Sequence, residues 1–355
     1  MNKYPWNEEE YTTAEVITNA RGGQSVKIKT PCSDKEAYEA LLKDKKPIWM
    51  PIGSESTSFC PKVIPDNIAR AFVIEAENIP KSGGIDMFGI KWVLEPTVGG
   101  CIEDPNEPIL FDDVNEWEDK IVWPDIDSWD WEGSAKANKD YLNNGKANMV
   151  WFLNGCWFER LISFMGFENA VMALIDDEQE DALKALFTKT TDLYCRLVDK
   201  CCEAYGDGIS GFVVHDDWGS QKDAFFSPEV GKEIFVPFMK KLVDHIHSKG
   251  MIAYLHSCGC LNKQVGNFAD AGWDSWVPMT MNDTVKMYDD YGERIIIGVV
   301  PEAFDPATTS EEEQERLGAE FAKRFPLATC NGRGIATPAF IKGYYKQSRI
   351  QANEN

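Results

Sequence analysis

From residue 147 onward, short apolar segments alternate with longer amphipathic ones, and this alternation constrains the fold more than any other feature of the chain. ANMVWFLNG, ISGFVVHDD, MIAYLHS, WDSWVPM and RIIIGVV read as strands. FERLISFMGFENAVMALID, EQEDALKALFTKTTDLYCRLVDKCCEAYG, SPEVGKEIFVPFMKKLVDHIHSKG, LNKQVGNFADAG, MNDTVKMYDDYG and SEEEQERLGAEFAKRF read as helices. Strands that are apolar along their whole length and joined by helices run parallel and are covered on both faces. The punctuation agrees. Ser227 suits an N-cap, Pro228 the first helical position and Gly250 a stop, and Ser310 with Glu313 forms a capping-box pattern. Pro237, inside a helical pattern, predicts a kink or a split.

Adding PIWMPIGSES and the strand-like pieces of residues 60–145, such as DMFGIKWVLEP, brings the strand count to about eight. A single TIM-like (β/α)8 barrel over residues 46–355 is the natural closure, with insertions around 60–145. Residues 1–45, ending in DKEAYEALLKDKK, read as a helical N-terminal extension. An open doubly wound sheet is the rival, but no Gly-rich dinucleotide fingerprint is present.

The chain of 355 residues carries a formal charge of −22, which argues against a nucleic-acid partner because phosphate binding needs a basic face. No apolar run approaches the ~20 residues of a membrane span. The first residues, MNKYPWNEEEYTT, lack the apolar core of a signal peptide. Ten cysteines without such a leader read as reduced thiols of a cytoplasmic protein. Cys195, Cys201 and Cys202 fall in a helical pattern and read as packing residues.

The chain has only four His, yet HSCGC places His256, Cys258 and Cys260 together at the end of the MIAYL strand. In a parallel barrel, functional side chains gather at that end of each strand. Residues two apart in a strand share a face, and imidazole and thiolate are good zinc ligands. A bare His-x-Cys pair is also compatible with a packed core, so a third ligand is needed. Cys330, at the end of the last strand-like segment, is the candidate, and three protein ligands plus one open position is a catalytic zinc arrangement. Cys260 reads as a spectator. Glu55 and Glu302, each just past a strand, are candidates for a displaceable fourth ligand. Asp216 and Asp217, after ISGFVV, would orient His256, bind substrate or cap a loop. Trp218, Gln221 and Trp157 are candidate pocket residues; His215 is a weaker one, compatible with packing. His245 and His247 suit a helix C-terminus.

HSCG (256–259) with Cys330 before GRGIATP resembles the His-x-Cys…Cys zinc pattern of the cobamide-dependent methyltransferases, which share the uroporphyrinogen decarboxylase fold. DMFGIKW (86–92), GCWFERLISFMGFENA (155–170), HDDWGSQKDAFFSPE (215–229) and HSKG (247–250) are similar to further blocks of that superfamily, so the resemblance covers the chain from about residue 35 to its end. It implies a uroporphyrinogen decarboxylase-like barrel and Zn2+ on His256, Cys258 and Cys330. It also implies a corrinoid (cobalamin) carried by a partner protein. Decarboxylation is the less favoured branch: the Arg-rich porphyrin-binding segment of that enzyme has no counterpart beyond Arg21 and Arg70. The expected activity is methyl transfer from a small methylated substrate to corrinoid cobalt. The many Trp, including Trp151, Trp157, Trp218 and Trp276, tip the substrate toward an aryl methyl ether (O-demethylation). Methylcobalamin-to-thiol transfer of the coenzyme M type is the alternative. A non-enzymatic docking subunit with a structural metal is a third reading.

Overall fold

The computed structural model describes residues 4–18, 24–77, 79, 82–97, 100–331 and 337–354. Arg21 and the GRGIA stretch after Asn331 lie outside them. The chain divides into two compact units. The first comprises Met1–Thr57, Gly145–Ala147 and Asp274–Asn355; the second comprises Ser58–Asn144 and Asn148–Trp273.

The second unit holds the parallel strands Ala147–Phe152 (all but its first residue), Gly211–His215 and Ile252–His256, which pair in that order. All five residues of Gly211–His215 are buried, as expected for a parallel strand with both faces covered. Gly211 has no room for a side chain, since a Cβ there would lie 2.3 Å from the carbonyl oxygen of Ile252. The strands alternate with helices Phe158–Met165, Phe167–Ala173, Glu180–Tyr205, Val236–Ser248 and Val265–Ala271. The single helix expected over FERLISFMGFENAVMALID is divided at Gly166, whose φ of 76° is outside the helical range. Ser227 caps the next helical segment, accepting the Val230 N–H at 3.2 Å. Pro237 has its effect immediately upstream: Gly231–Phe235 forms a π-helical turn before the regular helix begins at Val236.

Within residues 60–145 the second unit contains the helices Pro65–Ala69 and Trp131–Leu142. It also contains a three-stranded antiparallel sheet of Gly83–Ile85, Lys91–Glu95 and Gly100–Glu103. A buried ion-pair cluster fixes this region to the Phe158–Met165 helix. The Arg160 guanidinium is 2.7 Å from Asp86 and pairs with Asp66, with the Phe88 ring 4.7 Å away. Asp86 also accepts the N–H groups of Phe88, Ile90 and the Trp92 indole.

The first unit holds the parallel strands Ser275–Trp276, Ile296–Val299 and Ala328–Cys330, interleaved with helices Thr284–Tyr291 and Glu311–Arg324. Ser310 caps the second of these, accepting the Glu313 N–H at 3.2 Å. A helix at Pro338–Glu354, absent from the sequence reading, starts at Thr337, whose hydroxyl accepts the Phe340 N–H. It packs backbone to backbone on Glu311–Arg324: a Cβ on Gly343 would sit 1.9 Å from the Glu315 carbonyl oxygen. The N-terminal segment is less helical than expected, because an antiparallel pair, Glu15–Thr18 with Gln24–Lys27, separates helices Glu8–Thr12 and Asp34–Asp44. Buried Glu10 anchors it, accepting from Arg349 at 2.8 and 2.9 Å and from the Tyr345 hydroxyl at 2.7 Å. The first strand also lies later than expected, at Ser56–Phe59. Pro47 and Pro51 have no N–H to give a ladder, and Gly53 turns the chain at φ 95°. Among the described residues no helix is long and apolar enough to cross a membrane.

The Arg160 cluster is buried and the Arg316 pairs with Glu313 and Glu320 are exposed, so their variants should diverge. Arg160→Leu leaves two buried carboxylates without their cation and is expected to cost about 3–5 kcal/mol in urea unfolding. Arg316→Ala should leave the midpoint within error of wild type.

Candidate functional site

The geometry of the site starts with strand register. His215 and His256 end neighbouring parallel strands and are direct partners across the ladder. Their rings stack with centroids 5.0 Å apart and planes 22° from parallel. Beyond His256 the chain turns through Ser257 and Cys258 to Gly259. Gly259 has φ 110°, and a Cβ there would come within 2.6 Å of the Gly219 backbone, so only glycine fits. The loops after the two strands are tied further by Cys260 N–H to the Ser220 carbonyl at 2.7 Å and Cys258 N–H to Asp217 Oδ1 at 2.6 Å.

This turn brings Cys258 Sγ to 3.4 Å from His256 Nε2. Zinc–sulfur and zinc–nitrogen bonds of about 2.3 and 2.0–2.1 Å at a tetrahedral angle would separate the two ligand atoms by ~3.6 Å. The pair is therefore spaced as adjacent ligands of one ion. A second grouping overlaps it: ligand atoms of His215, Asp217 and His256 all lie within 4.8 Å of one another.

Electrostatics separates the two histidines. His215 Nδ1 lies 2.5 Å from Glu159 Oε2 and its Nε2 lies 3.5 Å from Asp217 Oδ1. The Glu159 contact is an ion pair by distance, but it lies off the hydrogen-bond direction, and neither atom has a well-formed hydrogen bond. Burial disfavours the His215 cation, but the Glu159 and Asp217 carboxylates outweigh it and raise its pKa to about 10. Burial and the neighbouring His215 charge lower His256 to about 4. Burial would raise Asp217, yet His215, His256 and the Cys258 N–H together hold it well below the usual carboxylate range. His256 thus presents a neutral imidazole, the form that binds a metal, whereas His215 would first have to give up a proton held between two carboxylates.

The other residues singled out in the sequence have different surroundings. Asp216 is fully buried and caps the Phe158–Met165 helix. It accepts the N–H groups of Trp157, Phe158 and Glu159 at 3.1–3.3 Å and the Trp218 indole N–H at 2.8 Å. Burial and the Glu159 charge push it up to about 7. Trp218 and Trp157 are fully buried. Trp218 packs among Phe226, Phe235 and Phe268, and Trp157 donates to Thr191 Oγ1 at 3.0 Å. Gln221 is exposed in the Ser220–Asp223 turn.

In the first unit, the Glu55 carboxylate is taken by the Trp49 indole and the Ile52 and Gly53 N–H groups at 2.9–3.1 Å, which stabilise a local turn and leave it poorly suited to a metal. Glu302 is exposed beyond Ile296–Val299. Cys330 ends its strand half-buried, opposite Val299. His245, as expected of a helix end, sits on the surface and contacts Asp199 at 2.9 Å.

The structure adds residues that the sequence reading ranked low or omitted. His215 obeys the strand-end rule that selected His256. Trp151, one residue before its strand ends, lies 5.3 Å from the His256 ring, and Phe72 lies 6.1 Å from Trp151. Glu159 carries no sequence signal, since its role depends on which strand end the first turn of its helix faces.

The His215 array has a defined pH signature. Its folded pKa lies above the ordinary 6.5, so its contribution to stability is complete below about 6.5 and is lost as pH rises through about 10. Asp216 has lost most of its proton by pH 7.5 and contributes little to the change above it. From pH 7.5 to 10 wild-type chain should therefore lose more stability than Glu159→Gln, as read by urea midpoints. Equal losses would contradict the His215 cation.

Comparison with protein-family models and with curated proteins finds no match for this chain.

Proposed function

We propose that the protein is a zinc-dependent methyltransferase of the cytoplasm that moves a methyl group from a small methylated substrate, an aryl methyl ether, to the cobalt of a corrinoid protein. The observation that carries this reading is the 3.4 Å approach of His256 Nε2 to Cys258 Sγ at the end of a parallel strand. The similarity of HSCG and Cys330 to the cobamide-dependent methyltransferase pattern supplies the reaction and the third ligand. The alternation of parallel strands with helices supports completion to a (β/α)8 barrel, a fold whose chemistry resides at the C-terminal strand ends. Ten cysteines suit a reducing compartment.

His256 and Cys258 would hold the ion, and the resemblance assigns the third ligand to Cys330. When bound, zinc supplies a Lewis acid at the ether oxygen. The chain's own residues do the rest. Asp217 fixes the Cys258 backbone, and His215 holds a proton between Glu159 and Asp217. A corrinoid held by the partner protein would supply, as reduced Co(I), the electron pair that takes up the methyl cation from the ether oxygen. The oxygen would keep the C–O bonding pair, and His215 would be the chain's proton source for it. Trp151, beside the His256 ring, is the aromatic wall of the slot.

Metal analysis after dialysis against zinc tests this directly. Wild type should retain about one equivalent, and His256→Ala and Cys258→Ser should weaken binding at least 10–100-fold with the fold intact by circular dichroism. Cys330→Ser should do the same if the third ligand is assigned correctly. Full retention of zinc in the His256 and Cys258 variants would overturn the site. A zinc-loaded protein that methylates no reduced cobalamin with any methoxyarene would overturn the reaction.

A further inference from the structure

The first unit contains a cavity of about 910 Å3 at the start of the Ala328–Cys330 strand, the opposite end from Cys330. Its size suits a small organic molecule. Pro47, Ile48, Met50, Pro326, Leu327 and Ala352 give it an aliphatic wall, and no aromatic ring lines it although 12% of the chain is aromatic. Its charged lining residues are Lys45, Lys46 and Arg349 against Glu354 alone, the reverse of a chain with 58 acidic and 36 basic residues.

Arg349 is already committed: its buried guanidinium donates to Glu10 and to the carbonyls of Ile48 and Tyr4. The two lysines are not. The Asp34–Asp44 helix stops at Lys45, which adopts φ 52°, and the Lys46 N–H closes on the Ala40 carbonyl at 2.9 Å. Glycine usually takes such a left-handed end, so the lysine is carried there at a backbone cost. The Lys45 ammonium donates to the Glu293 carbonyl and, at 3.0 Å, to the Arg294 carbonyl, which leaves one of its three hydrogens. Among the described residues neither lysine has a carboxylate within the 4.0 Å of an ion pair. Burial lowers the Lys45 pKa, and the Asp274 and Glu293 charges offset this only in part. A half-buried cation in that position gains from an anion brought beside it.

We propose that this cavity binds a small single-chain aliphatic carboxylate, with its hydrocarbon against the Ile48, Met50 and Leu327 wall and its head at the Lys45 and Lys46 ammonium groups. The inference is independent of the methyl-transfer reading. Two ammonium groups, one of them with a single hydrogen to give, suit a monoanion better than a phosphate, which would call on more donors. The aliphatic wall selects a flexible chain over a flat ring, for which aromatic faces would be the better partners.

The test is calorimetric binding to the full chain after chelation of metal, so that no carboxylate is held by zinc. The probes are octanoate, octanol, octylammonium and benzoate. Octanoate should bind about ten-fold tighter than octanol, and tighter than benzoate or octylammonium. Lys46→Gln, at an exposed position, should reduce the preference over octanol about three-fold. The double variant Lys45→Met with Lys46→Gln should abolish it while keeping wild-type affinity for octanol, which also shows that the cavity is intact. Ala352→Trp, which fills the cavity, should remove octanoate binding. Absence of octanoate binding, equal affinity for octanol, preference for octylammonium, or benzoate binding as tight as octanoate would each overturn the proposal. So would an unchanged preference in the double variant or undiminished octanoate binding in Ala352→Trp.

Discussion

The in-register pairing of Gly211–His215 with Ile252–His256 is the constraint from which the site follows. In a parallel ladder, residues directly opposite each other project to the same side, so two histidines ending neighbouring strands must meet. Gly259 then folds the chain back where no side chain would fit, and Cys258 arrives beside His256 without a long loop. The cost of crowding two imidazoles is met by the carboxylates around one of them. Glu159 and Asp217 keep the proton on His215, and its charge in turn keeps His256 neutral. One stacked pair thus contains a neutral imidazole and a protonated one, a separation set by environment.

The region of residues 60–145 connects to this pair through Arg160. Its two ion pairs hold the Asp66 helix and the Asp86 turn against the helix that Asp216 caps, and Glu159 is the residue immediately before it. The cluster that anchors the insertion and the array that charges His215 therefore lie on successive residues of one helix. Ala71 and Asn154 show that the same neighbourhood stores backbone strain, of the order of 1–2 kcal/mol for a left-handed non-glycine residue. Buried ion pairs are poor sources of net stability but resist rearrangement, which suits a frame that must aim side chains.

Much of this order is visible in the sequence, because it depends on local rules. The strand–helix alternation, the Ser227 and Ser310 caps and the disturbance at Pro237 are properties of a few neighbouring residues. The spacing of His256 and Cys258 is visible in the sequence, and the Gly259 turn completes their approach. What the sequence conceals is tertiary. Asp216 and Asp217 are adjacent and chemically identical, yet one caps a helix and the other faces a histidine, a difference decided by chain segments about 40 and 60 residues away. Trp157 and Trp218 look like pocket aromatics at strand ends but turn inward, since a parallel strand end has two sides and the pattern does not say which is open. PIWMPIG has strand composition, but its prolines deny it a ladder, and the strand begins later, at Ser56.

X-ray absorption at the zinc edge of the zinc-loaded protein tests the central claim most directly, because it counts sulfur ligands. The account predicts at least one sulfur at about 2.3 Å together with nitrogen at about 2.0–2.1 Å, and loss of a sulfur in Cys258→Ser. A shell of nitrogen and oxygen alone, as His215, Asp217 and His256 would give, would contradict it.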